Sequence, residues 1–74
     1  MKKIADLKIG DVVKLSSFGQ ANPVYRKMLL SLGLTLGVEV KVLHIAPLGC
    51  PVEIEARGVA IALRKNEAMD LVWV

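Results

Sequence analysis

The stretch Val38-Glu39-Val40-Lys41-Val42-Leu43-His44-Ile45-Ala46-Pro47-Leu48-Gly49-Cys50-Pro51-Val52-Glu53-Ile54-Glu55-Ala56-Arg57-Gly58-Val59-Ala60-Ile61-Ala62-Leu63 decides the fold. Val38, Val40 and Val42 alternate with Glu39 and Lys41, and a period of two is the signature of a half-buried strand, whose successive side chains point to opposite faces. This strand runs toward Ile45. The segment Ala46 to Pro51 cannot continue it, because two prolines remove amide donors and Gly49 favours turn geometry, so a hairpin loop is predicted there. Val52, Ile54 and Ala56 then alternate with Glu53, Glu55 and Arg57, Gly58 turns the chain, and Val59, Ile61 and Leu63 form the facing strand.

Outward from this meander the same period returns. Ile4 to Lys8 reads as a short helical turn or extended lead-in ended by Gly10, and Asp11 to Phe18 as a strand with Val13 and Leu15 on one face and Lys14 and Ser16 on the other. Gly19 to Ala21 breaks it. Asn22-Pro23 marks a helix start: Asn accepts a backbone N–H, and Pro fits the first helical position, where no donor is needed. The predicted helix runs from Pro23 to Leu32. Tyr25, Met28, Leu29 and Leu32 make one apolar stripe, Gly33 supplies the left-handed cap, and Leu30 points away with no core to enter. Lys65 to Met69 reads as one helical turn before a last strand from Asp70 to Val74.

About five short strands with tight turns and one short helix predict a mainly β, single-domain protein over residues 1–74. Closure into a small SH3-like barrel removes the sheet edges that invite aggregation. An oligonucleotide-binding fold usually needs a longer chain, with its helix between later strands.

The chain has 74 residues, 54% of them hydrophobic and only 4% aromatic, so aliphatic side chains must build the core. At this mass the folded surface should be roughly 4,500 Å², of which one specific interface of roughly 800 Å² per partner would take about a fifth. So small a core cannot hide every apolar side chain, and a clustered remainder marks a contact site. The net charge of +3 is spread from Lys2 to Lys65 rather than grouped, which disfavours nucleic acid as a partner. The sole cysteine, Cys50, fits a reducing compartment. With no signal-like run after Met1 and no apolar stretch of membrane length, the expectation is a cytoplasmic protein without direct membrane insertion.

The runs Tyr25 to Gly37, Ala46 to Ile54, Arg57-Gly58 and Ala62-Leu63-Arg64, in this order and spacing, resemble the ferrous iron transport protein A (FeoA) family over nearly the whole chain. The resemblance implies an SH3-like fold and a cytoplasmic accessory role beside the bacterial ferrous iron permease, a membrane protein bearing a G-protein domain. A related SH3-like domain ends some metal-dependent repressors, but this chain has no DNA-binding helix pair. Leu36 stands where the family commonly has Pro, leaving the turn less pre-organised. Cys50 stands where it commonly has Asp, so this loop carries a thiol instead of a carboxylate.

Leu30, with Leu36, Pro47 and Leu48 on turns and Arg26 alongside, is expected to form a shallow apolar partner-binding cleft. The competing reading makes Leu36 and Leu48 plugs of the barrel ends. Burial of a leucine is worth ~1.5–3 kcal/mol on either surface, so energy does not choose between them. Cys50 and His44 are the candidates for a reactive thiol or soft metal site. Two such groups fall short of a four-ligand zinc site or a catalytic constellation, so no enzyme activity and no cofactor are expected. Glu53 and Glu55 read as a solvated strand face. Arg26, Lys27, Arg57, Arg64 and Lys65 read as a phosphate-tracking set only if aromatic residues stand beside them to stack bases. Self-association is left open.

Overall fold

The computed structural model describes residues 1–74. Its elements follow as a 3₁₀ turn at Ile4–Asp6, β1 (Val12–Ser17), α1 (Pro23–Ser31), β2 (Glu39–Ile45), β3 (Val52–Ala56), β4 (Val59–Leu63), α2 (Lys65–Ala68) and β5 (Val72–Trp73). The strands form one antiparallel sheet in the order β4-β3-β2-β1-β5. It curls into an SH3-like barrel.

The meander read from residues 38–63 is present with its expected faces. Val40, Val42, Val52, Ile54, Ala56, Ile61 and Leu63 are buried, while Glu39, Lys41, Glu53 and Glu55 face water. Arg57 and Gly58 form the two-residue β3–β4 turn with φ of 52° and 79°. Positive φ at both positions is the twist that suits a tight hairpin. The Arg57 Nη2 donates to Thr35 Oγ1 at 3.4 Å, tying this turn to the α1–β2 connection. Between Val42 and His44 the β2–β3 register shifts, which bends the long strand.

Local chemistry sets the ends of α1 as expected. Asn22 Oδ1 accepts the Val24 N–H at 2.8 Å, and Pro23 takes the first helical position. At the other end Leu34 N–H donates to the Leu29 carbonyl and Gly33 N–H to that of Leu30, with Gly33 at φ +98°. This is the paired closure that a left-handed residue after the helix permits.

Twenty side chains form a single core, and no polar or charged residue is buried. Trp73 is the largest of its fully buried side chains. The Trp73 strand is held on both sides, by β1 and by a bridge to Lys2.

Two expectations need correction. The inward stripe of α1 is only Tyr25 and Leu29; Met28 is 48% exposed and Leu32, now the capping residue, 39%. A nine-residue helix lying on the rim of one small barrel meets a partner along a single line, too narrow to cover Met28 as well. Val59, at the start of β4 beside the hairpin turn, is 43% exposed. The last strand is shorter than Asp70 to Val74, because the Leu71 N–H is spent on the Ala68 carbonyl in closing α2.

Candidate docking surface

The accessible surface is 4543 Å². As composition demanded, it retains large apolar side chains. Leu30 is 42% exposed, Leu36 59% and Leu48 96%, so none of these leucines plugs the barrel. Arg26 and Pro47 are exposed as well. Arg26 and Leu30 are four apart on α1 and share one face, opposite that of Val24 and Met28.

These residues lie on three separate segments, the helix α1 and the connections at either end of β2. The α1–β2 connection carrying Leu36 enters β2 at Glu39, and the loop carrying Pro47 and Leu48 leaves it after Ile45. Seven residues of strand at ~3.3 Å each separate the two ends by about 20 Å. Leu36 therefore sits by one end of β2 and Pro47 and Leu48 by the other, while Arg26 and Leu30 stand on α1.

Cys50 is half-buried, and its Sγ accepts the Lys65 N–H at 3.4 Å. The Lys65 Nζ lies over Gly49, 2.8 Å from where a Cβ would stand. His44 is exposed on β2 opposite Glu53. The loop thus brings the thiol to the start of α2, and its bonding partner is Lys65, not His44. No three His, Cys, Asp or Glu side chains converge on a common point. Phe18, Tyr25 and Trp73, the aromatic residues a single-strand binder would use for stacking, all belong to the core. The basic set is left without a stacking platform.

One feature escaped the sequence reading. Between α1 and α2 lies a cleft of about 470 Å³ lined by Ala21, Asn22, Val24, Tyr25, Met28, Asn66, Glu67 and Asp70. The Tyr25 hydroxyl is buried and finds no hydrogen-bond partner among the protein groups. Burial first, and the nearby Glu67 charge second, push its pKa up to about 12. The available signal was Val24, an apolar residue four before Met28 and outside the stripe read as the core face.

A sequence profile of the FeoA domain family matches residues 2–73. Among solved structures, the FeoA protein of Chlorobium tepidum superposes with a TM-score of 0.88 at 39% identity, covering 97% of this chain and 68% of that one. A zinc complex of Stenotrophomonas maltophilia FeoA gives 0.80 at 25% identity, covering 100% of this chain and 91% of its own. That protein is an SH3 domain protein proposed to act as a bacterial ferrous iron transport activating factor. A manganese-dependent transcriptional repressor shares the fold, with a TM-score of 0.83 at 18% identity, covering 99% of this chain and 40% of the repressor chain.

Proposed function

Because this chain belongs to the FeoA family, we propose that it is a cytoplasmic, non-catalytic accessory protein of ferrous iron transport that docks on the G-protein domain of the iron permease and modulates its activity. An accessory role in iron transport goes with the family and with the activating function suggested for the Stenotrophomonas maltophilia protein. Direct insertion is not needed for such a role, and no helix here is long and apolar enough to cross a membrane.

The observation that carries the docking reading is the exposure of Leu30, Leu36 and Leu48 on a molecule whose small core is already filled by other side chains. Water-facing leucines become favourable only when a second surface covers them. A patch of roughly 800 Å² is about 30 Å across, so one partner face can span both ends of β2. The three leucines then serve as anchors, with Arg26 on the same face of α1 as Leu30. The net charge of +3 favours encounter with an acidic surface.

The test is binding of the purified permease G-protein domain to the wild-type chain and to Leu30→Glu, Leu36→Glu and Leu48→Glu, by calorimetry or biolayer interferometry. Loss of a hot-spot anchor should weaken binding by roughly thirtyfold or more, with the melting temperature nearly unchanged. Unchanged affinity in all three variants refutes the surface.

A further inference from the structure

The helix-flanked cleft carries a second inference, independent of the leucine surface. We propose that the cleft between α1 and α2 receives the side chain of an arginine or lysine from a partner protein.

Its walls and its floor differ in chemistry. Ala21, Val24, Tyr25 and Met28 supply an apolar flank, while Glu67 and Asp70 supply two carboxylates. Neither carboxylate is in an ion pair; the sole pair in the molecule is Lys2 with Asp11, at 3.6 Å. A chain of net charge +3 thus leaves two acidic residues lining one cleft, with no lysine or arginine nitrogen within 4.0 Å of either carboxylate. The group that satisfies both halves of the cleft has an aliphatic stem and a cationic head, which describes lysine and arginine. The Asn22 Oδ1 is committed to capping α1, so its amide nitrogen and the Asn66 amide remain as secondary polar contacts. Burial is the main cause of the raised Tyr25 pKa, and the Glu67 charge beside it adds to the rise.

The rim argues for a polypeptide rather than a free small cation. Val24 is 78% exposed and Met28 48%, and a lone guanidinium or ammonium group would leave both uncovered. A chain that drops one basic side chain into the cleft lays its neighbouring residues over them. The volume of about 470 Å³ lies within the range of sites that enclose a ligand group.

The experiment is an amide chemical-shift titration of the ¹⁵N-labelled full chain with three probes. These are N-acetyl-arginine methylamide, its neutral citrulline counterpart, and acetyl-Leu-Arg-Leu-amide. The arginine probe should saturate shifts confined to residues 21–28 and 66–70, and the citrulline probe should not. Replacing both carboxylates, Glu67→Gln with Asp70→Asn, should weaken binding by about tenfold, from two partly screened charge pairs. The exposed single variant Glu67→Gln gives part of that loss should Asp70→Asn disturb its turn. Leu36→Glu should change nothing, which separates this site from the docking surface.

Equal response to citrulline, or insensitivity to Glu67→Gln, overturns the proposal. Leu-Arg-Leu binding no tighter than the single residue assigns the cleft to a small cation instead. Concentration-dependent dimerisation of the wild type that the double variant abolishes assigns it to a basic residue of a second copy.

Discussion

Replacing Tyr25 by Phe should make this protein more stable, although it removes a polar atom from a half-hydrated rim helix. The ring of Tyr25 is part of the core, with 9% of the residue exposed. Its hydroxyl is buried without a protein partner. Burying an unsatisfied polar group costs roughly 1–3 kcal/mol, and Phe keeps the ring contacts while removing that cost. With the hydroxyl so close to the cleft, the lower figure applies, and a gain of about 1 kcal/mol corresponds to a melting temperature higher by roughly 4–8 °C for a domain of this size. There is also a pH signature. Folding favours the neutral phenol, because its pKa rises from 10.0 to about 12 on burial beside Glu67. That contribution is fully present below pH 10 and is lost as pH rises through 12, so wild-type stability should fall across this window and that of the Phe variant should fall less. Urea unfolding at neutral pH and at steps up to pH 11.5 measures both effects. A Phe variant less stable than wild type at neutral pH would show the hydroxyl to be productively bonded and would refute the reasoning.

Two further substitutions probe the backbone that places α1. Gly19 has φ +59°, and a Cβ there would collide with the Asp70 carbonyl oxygen. Gly19→Ala should therefore cost about 2 kcal/mol or more, from left-handed strain and from moving one of two backbones, visible as a lower urea midpoint. Asn22→Ala removes the acceptor of the Val24 N–H and should cost about 1 kcal/mol. Asn22→Asp, which keeps an acceptor, should retain most of the stability, and equal losses in both variants would show that the cap is not the cause.

Much of the fold was legible because alternation reports which face of a strand meets the core. Val40, Val42, Ile54 and Ile61 fell inward on that basis alone, and Asn22-Pro23 with Gly33 marked the helix ends through bonds between near neighbours. Periodicity does not report how wide a covering surface is. Met28 and Leu32 sit on the correct side of α1, yet stay exposed because the barrel beneath offers only a narrow line of contact. The exposure of the leucines proposed for docking was legible to the same degree. Surplus apolar residues were expected at Leu30, Leu36 and Leu48 and are found in water, but the separation of Leu36 from Leu48 by the length of β2 follows from strand length and bend.

The order of residues, by itself, determined the alternating strands, the capped helix, the family and the excess of apolar side chains over what so small a core can hold. These depend on neighbours within a few positions and on composition. Only the tertiary structure decided that Cys50 meets Lys65 and not His44, that Trp73 is completely buried, and that Glu67 and Asp70 line one cleft with Val24 and Met28. Each of those pairings joins segments far apart in the chain, and their approach is set by how the sheet curls and where each loop is forced to cross it.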